Sequence, residues 1–231
     1  FGLGATTGIA IGSANGPALP VSNHAVVLKW DGEMIKTAVV EEHARPRHAR
    51  ALGASFFIGL TGLSRFLKRT GQAEGHPDDA HRLLEQDELV LVFPEGVRGT
   101  GKGWSNRYRL TRFGRGGYVQ TAIRAGAQII PISVVGSEEI YPMIADLGPV
   151  ADLFGLPYFP VTPTFPLLGP LGMVPLPSKW RIQSHEPVRT DLCAPEDAAD
   201  QRLVMTLNDH VRDTVQSGIL ENVKKRRGVF F

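Results

Sequence analysis

Asn23-His24 and Asp31 stand near the start of the chain, just after a short apolar run. A histidine whose tautomer is fixed by a carboxylate can take the proton of a hydroxyl near neutral pH, which is general-base chemistry. Spacing constrains the pair. Seven residues on a straight helix rise about 10.5 Å, so residues 24–31 must fold back as a loop for the two side chains to meet. Taken singly, both residues are ordinary: a lone histidine is usually structural, and Asp31 suits the N-cap of a following helix.

Phe93-Pro94-Glu95-Gly96 is the second candidate, at the end of the apolar run Leu89 to Phe93. In open α/β sheets ligands sit beyond the carboxyl ends of strands, where this turn falls. Gly96 lets the backbone approach a ligand closely, and amides of such a turn can face a developing oxyanion. The third feature is charge. From Gly96 to Ser137 there is no Asp or Glu, while Arg98, Lys102, Arg107, Arg109, Arg112, Arg115 and Arg124 fall within that stretch. Such a stretch favours an anionic ligand or an anionic membrane surface. No recognition-helix or aromatic RNA-binding signature accompanies it, so nucleic acid is not the expected partner.

Gly96 to Lys102 also fits G-x4-G-K after a strand, the outline of a phosphate-binding P-loop. Residue 103 is glycine rather than the Ser or Thr that would hold Mg²⁺, and Gly103-Trp104-Ser105-Asn106 reads as loop. A P-loop-like nucleotide-binding protein therefore stands only as an alternative.

The elements that must position these residues alternate along the chain. Strands are expected at Pro17–Ser22, Leu89–Phe93, Gln128–Val135 and Trp180–Ser184. Helices are expected from Asp31 to about His43, Phe56–Arg69 with Gly71 as C-cap, Pro77–Glu85, Tyr118–Arg124 and, amphipathically, 196–223. In that last helix Leu203, Leu207, Val211, Val215 and Ile219 recur at four-residue steps. Pro131 inside the 128–135 run suggests that this strand lies at an edge or an end. The alternation predicts an α/β fold: a single domain over 1–231 with a central, mostly parallel mixed sheet flanked by helices.

Composition sets the class. The 231 residues are 42% hydrophobic and 21% charged, which is globular and excludes a disordered chain. Cys193 is the only cysteine, so no internal disulfide scaffold exists and no zinc-finger spacing is present. Two long stretches carry no formal charge. Residues 1–28 are too polar and glycine-rich for a membrane span, and they lack a signal peptide's basic start. Leu153 to Ser178 holds seven prolines, which a spanning helix does not tolerate. The chain opens with Phe1 rather than Met, which suggests that an upstream segment was removed, one that could have carried an anchor.

Read together, these motifs resemble the lysophospholipid/glycerolipid acyltransferase superfamily. That family carries Asn-His-x4-Asp, then Phe-Pro-Glu-Gly-x-Arg, then a strand with Ile-Pro. The counterparts are Asn23, His24 and Asp31; Phe93, Pro94, Glu95, Gly96 and Arg98; and Ile130, Pro131 and Ile132. The order and spacing cover roughly residues 20–140. Tyr108 to Tyr118, Ala125-Gly126-Ala127 and Gly136 to Tyr141 are closest in pattern to the monoacylglycerol/diacylglycerol acyltransferase branch. Two departures are visible: six residues rather than four separate His24 from Asp31, and the family's middle-block arginine, which helps hold the acceptor's phosphate, has no clear match near Thr70 to Pro77.

The resemblance implies transfer of a fatty acyl group from acyl-CoA or acyl-carrier protein to a lipid hydroxyl, by direct attack on the thioester. It implies His24 as base and Asp31 as its orienting carboxylate. Asn23, Phe93, Pro94, Glu95, Gly96, Arg98 and Lys102 are then the substrate-binding set. No metal and no cofactor beyond the acyl-thioester co-substrate are implied. A thioester is already activated, which agrees with the absence of a G-x-S-x-G elbow or a motif cysteine. A peripheral position on the cytoplasmic face of a membrane follows as an expectation. Leu153–Ser178 would line an acyl groove or lie on the bilayer, and Lys224-Lys225-Arg226-Arg227 would reach anionic lipid. A catalytically inactive lipid-binding module is the remaining alternative.

Overall fold

The computed structural model describes residues 16–25, 30–42, 48–53, 72–74, 77–153 and 156–229. The helix expected over Phe56–Arg69, with its cap at Gly71, lies outside them. A six-stranded sheet organises the rest, in the order β3-β2-β4-β1-β5-β8. Its strands are β1 (Ala18–Ser22), β2 (Ala49–Gly53), β3 (Gln72–Glu74), β4 (Leu89–Leu91), β5 (Gln128–Val135) and β8 (Arg181–Ser184). β1, β2, β3, β4 and β5 pair in parallel, and β8 closes the edge antiparallel to β5. A separate two-stranded ribbon pairs β6 (Ala145–Asp146) with β7 (Pro160–Val161).

Alternation along the strands splits the core in two. Leu19, Val21, Val90 and Ile129 meet Val204, Val211, Val215 and Ile219 of the terminal helix on one face. Leu89, Leu91, Ile130, Ile132 and Val134 meet Ile35, Ala38 and Val39 on the other. The helices are α1 (Trp30–Glu42), α2 (Pro77–Glu85), α3 (Val97–Thr100), α4 (Gly117–Arg124), α5 (Gly148–Leu153) and α6 (Gln201–Lys225). This is the helix-flanked, mostly parallel mixed sheet that the alternation predicts.

Three expectations need correction. β5 lies inside the sheet, not at its edge. Pro131 is tolerated because its carbonyl accepts from His185 N at 2.9 Å one step past the β8 ladder, whose last pair is Ile132 with Ser184, so the missing donor faces the ladder's end. The terminal helix starts at Gln201, not 196. Pro195–Ala199 forms a 3-10 turn, and Asp200 caps α6 by accepting from the amides of Arg202 and Leu203. The four-residue stripe is partly displaced as well: Val204 and Asn208 are buried where Leu203 and Leu207 are only half-buried.

The basic tail is also partly committed. Arg226 forms an ion pair with Glu139 at 2.6 Å, the two side chains 5% and 0% exposed, and Lys225 pairs with Glu221. Of the four cations expected to face lipid, Lys224 and Arg227 are the exposed ones left without such a pair among the described residues.

Candidate active site

β1 ends at Ser22, and the chain turns immediately. Asn23 fixes that turn: its side-chain amide donates to Val134 O at 3.0 Å and its Oδ1 accepts from Val134 N at 2.8 Å. This buried side chain grips β5, so it holds His24 in place and offers nothing to a substrate. His24 Nδ1 lies 2.7 Å from Asp31 Oδ2. The two side chains meet, as the general-base reading requires. Asp31 is fully buried and lies inside the first turn of α1, one residue past its start, so it is not the helix cap. Its carboxylate also accepts from the amides of Ala25 at 3.1 Å and Gly32 at 2.9 Å.

The Phe93–Gly96 turn closes over this pair from β4. The Phe93 ring stacks on the His24 imidazole, with centroids 4.6 Å apart. Glu95, 4% exposed, accepts the His24 amide on Oε1 at 3.2 Å; on Oε2 it accepts the Thr111 amide at 2.8 Å and the Thr111 hydroxyl at 2.9 Å. With Nδ1 donating to Asp31, the Nε2 lone pair of His24 is the free basic position, and it has no partner among the described residues. The His24 side chain is 14% exposed.

Gly96 takes φ 55° and ψ −143°, a conformation that favours glycine. Its own amide donates to Phe93 O at 3.0 Å, closing the turn. The oxyanion donor expected there is therefore already occupied in this arrangement. Gly99 matters for a different reason. A Cβ on it would lie 2.4 Å from His24 O and 2.9 Å from Glu95 Cβ. Gly99→Ala is expected to push α3 off the His24 segment, costing about 1–3 kcal/mol of stability by overpacking and on the order of 10²-fold in turnover by misplacing the imidazole. Parallel melting and rate measurements check this; an unchanged rate would mean that α3 does not seat the histidine.

Lys102 departs most from expectation. Its side chain is 7% exposed, and its ammonium lies 3.0 Å from Glu138 Oε1 and 3.5 Å from Glu95 Oε2. It also donates to Arg109 O at 3.1 Å. That charge neutralises two buried carboxylates instead of facing a ligand. The same placement undoes the P-loop outline: α3 occupies the segment that would have to wrap a phosphate, and the lysine is spent.

The basic stretch does converge elsewhere on the turn. Arg98, Arg112 and Arg115 line a cleft of about 500 Å³ with Pro94, Glu95, Val97 and Gly114. All three arginines are exposed and have no acidic partner among the described residues. His24 is not in the lining; cleft and dyad share Glu95. Arg112 and Arg115 fall both in the acid-free stretch and in the Tyr108–Tyr118 pattern, but neither was singled out there as a site residue. Thr111 and Glu138 lie in the Tyr108–Tyr118 and Gly136–Tyr141 patterns, yet nothing in those patterns marked them as partners of Glu95 and Lys102. Among the described residues no group of three or more His, Cys, Asp or Glu side chains is arranged to hold a metal.

A family model described as Acyltransferase matches residues 7–135, more than half of the chain and all of the dyad, turn and β5. The chain belongs to the acyltransferase family. Its mycobacterial relatives include uncharacterized proteins of Mycobacterium tuberculosis, 49% identical over 217 residues, and of Mycobacterium leprae, 49% identical over 218. Each alignment covers 94% of this chain but only 61% and 59% of the relative, so the chain spans about three-fifths of their length. Phytyl ester synthase 2, chloroplastic, of Arabidopsis thaliana is 33% identical over 66 residues, 29% of this chain and 9% of that protein. Among solved structures, the 1-acyl-sn-glycerophosphate acyltransferase PlsC of Thermotoga maritima superposes with a TM-score of 0.54 at 16% identity, covering 94% of this chain and 70% of that one. The likeness shows that this acyltransferase-family chain shares the PlsC fold.

Proposed function

We propose that the chain moves a fatty acyl group from a thioester, acyl-CoA or acyl-carrier protein, to a hydroxyl of a glycerolipid or lysophospholipid. The observation that carries the reading is the 2.7 Å His24–Asp31 pair held against the Phe93–Gly96 turn. His24 Nε2 takes the proton of the attacking hydroxyl as the oxygen adds to the thioester carbonyl. Asp31, buried and bonded to Nδ1, orients the ring and offsets the charge that forms on it. The tetrahedral centre then collapses and releases the thiolate, so no covalent enzyme intermediate is needed. Three unpaired arginines beside Glu95 favour an acceptor or donor that presents an anionic group at that cleft.

A thiol-release assay tests this, with palmitoyl-CoA against a panel of lysophospholipids and partial glycerides. Acceptor-dependent release of CoA is the expected result. Release from no pairing would sink the reading in favour of a lipid-binding module that keeps the scaffold. Mg²⁺-dependent stabilisation by ATP or GTP in thermal melts would favour the nucleotide-binding alternative.

A further inference from the structure

We propose that residues 144–153 and 156–174 form a docking face for a lipid bilayer, seated by insertion of aliphatic side chains and not by charge. Of the twelve large hydrophobic residues that stand exposed among the described residues, eight fall within this arm: Ile144, Leu147, Leu153, Leu167, Leu168, Leu171, Met173 and Val174. Leu167 is 84% exposed, Leu153 80% and Leu171 73%, so these side chains project from the surface. An apolar patch concentrated in one segment marks an interaction site, whereas scattered exposed leucines do not.

The described backbone that carries them pairs many of its polar groups through α5, a 3-10 turn at Gly169–Met173 and the short ribbon. Ile144 N donates to Val161 O at 2.9 Å and Leu147 N to Phe159 O at 3.0 Å across the β6–β7 ribbon. Thr162 Oγ1 accepts from Phe165 N at 2.9 Å, and Thr164 Oγ1 donates to Gly172 O at 3.1 Å. Each of these bonds removes a donor that would otherwise be stranded on entering an interface, which is the main cost of irregular backbone there.

Charge selects the occupant. Leu153 to Ser178 contains no charged residue in 26 positions. A protein partner would meet a polar rim and the Arg, Tyr or Trp anchors that dominate such interfaces; this face presents Leu, Ile, Val and Met. The charges at its base are acidic, Asp146 and Asp152, both exposed, which gives no attraction to anionic headgroups. An uncharged face matches the acyl boundary of a bilayer. Where the arm joins the body, Tyr141 donates to Met173 O at 2.6 Å and accepts from Trp30 Nε1 at 3.3 Å. Amphipathic aromatics are favoured at that level of a membrane interface. Trp30 immediately precedes Asp31, so the docked face adjoins the helix that carries the dyad's carboxylate. Within the arm lies an apolar cavity of about 150 Å³ lined by Tyr141, Leu156, Phe159, Phe165 and Met173, among others.

The test is flotation of the chain with pure phosphatidylcholine vesicles, at low salt and at about 0.5 M salt, where surface electrostatics are screened within a few Å. Binding is expected at both. Leu167→Ser with Leu171→Ser is expected to weaken partitioning by about tenfold, with an unchanged melting temperature, since both side chains are solvent-exposed. In a separate variant, Leu171→Trp, the tryptophan emission is expected to shift to the blue on vesicle addition. No flotation would overturn the proposal. So would flotation that the double substitution leaves intact, binding that high salt abolishes, or a salt-stable dimer dissolved by the double substitution without vesicle binding. None of these readouts requires acyl transfer, so they stand apart from the activity.

Discussion

His24→Ala is expected to lower acyl-CoA turnover by about 10²–10⁴-fold, the usual contribution of a positioned general base, while the melting temperature stays close to wild type. The structural argument for the second half is specific. The contact from residue 24 to Glu95 runs through its backbone amide, which alanine keeps. Asp31 loses the imidazole but retains the amides of Ala25 and Gly32, so its buried carboxylate is not orphaned. The histidine is thus nearly dispensable for the fold and indispensable only if Nε2 moves a proton. Asp31→Asn should cost less, because the amide can still bond Nδ1 while losing the charge that favours the imidazolium. Near-normal turnover in His24→Ala, with acceptor-dependent release intact, would remove the mechanism outright.

β1, β4 and β5 were legible because they are apolar runs whose burial is nearly complete, whereas β2 (ARALG) and β3 (QAE) are not such runs and were not expected. Leu89, Val90 and Leu91 are each 2% exposed or less, as an uninterrupted apolar run implies for a strand covered on both faces. The dyad was legible from two residue types and a spacing, since the contact spans only seven positions. What escaped the sequence was long-range. Asn23 reads as a motif residue, yet its role is to bond Val134, 111 positions away. Lys102 reads as a cation in an acid-free stretch; its counter-ion, Glu138, is the first acid after that stretch and folds back onto it. Arg226 reads as part of a basic tail and is instead buried against Glu139. Periodicity and local charge counts carry no information on such pairings, because they depend on which strand neighbours which. The start of α6 failed for a different reason. The apolar pattern can run through Pro195–Ala199 without a break, and only the cap at Asp200 separates the turn from the helix.

The largest stability effect is expected at Lys102. Lys102→Met keeps the apolar stem but leaves Glu95 and Glu138 buried with no cation between them, and breaking a buried pair by removing one partner costs about 3–5 kcal/mol. The loss should depend on pH. Burial raises the pKa of Glu138, and Lys102 is the main influence that lowers it again. Without the lysine the folded-state pKa rises further above the unfolded value, so the folded chain holds a proton that the unfolded chain releases. Stability then increases as pH falls through that window, and the deficit of Lys102→Met narrows on acidification from neutral pH. Adding Glu138→Gln removes one of the two stranded charges and should restore part of the loss, a coupling that a double-mutant cycle reads directly. Activity should follow stability through Glu95, because the same carboxylate holds the His24 amide and Thr111. A Lys102→Met chain that melts normally at every pH, yet shows a raised KM for the acceptor, would return the ammonium to substrate binding. A chain that melts early and recovers with Glu138→Gln places Lys102 in the support beneath the dyad.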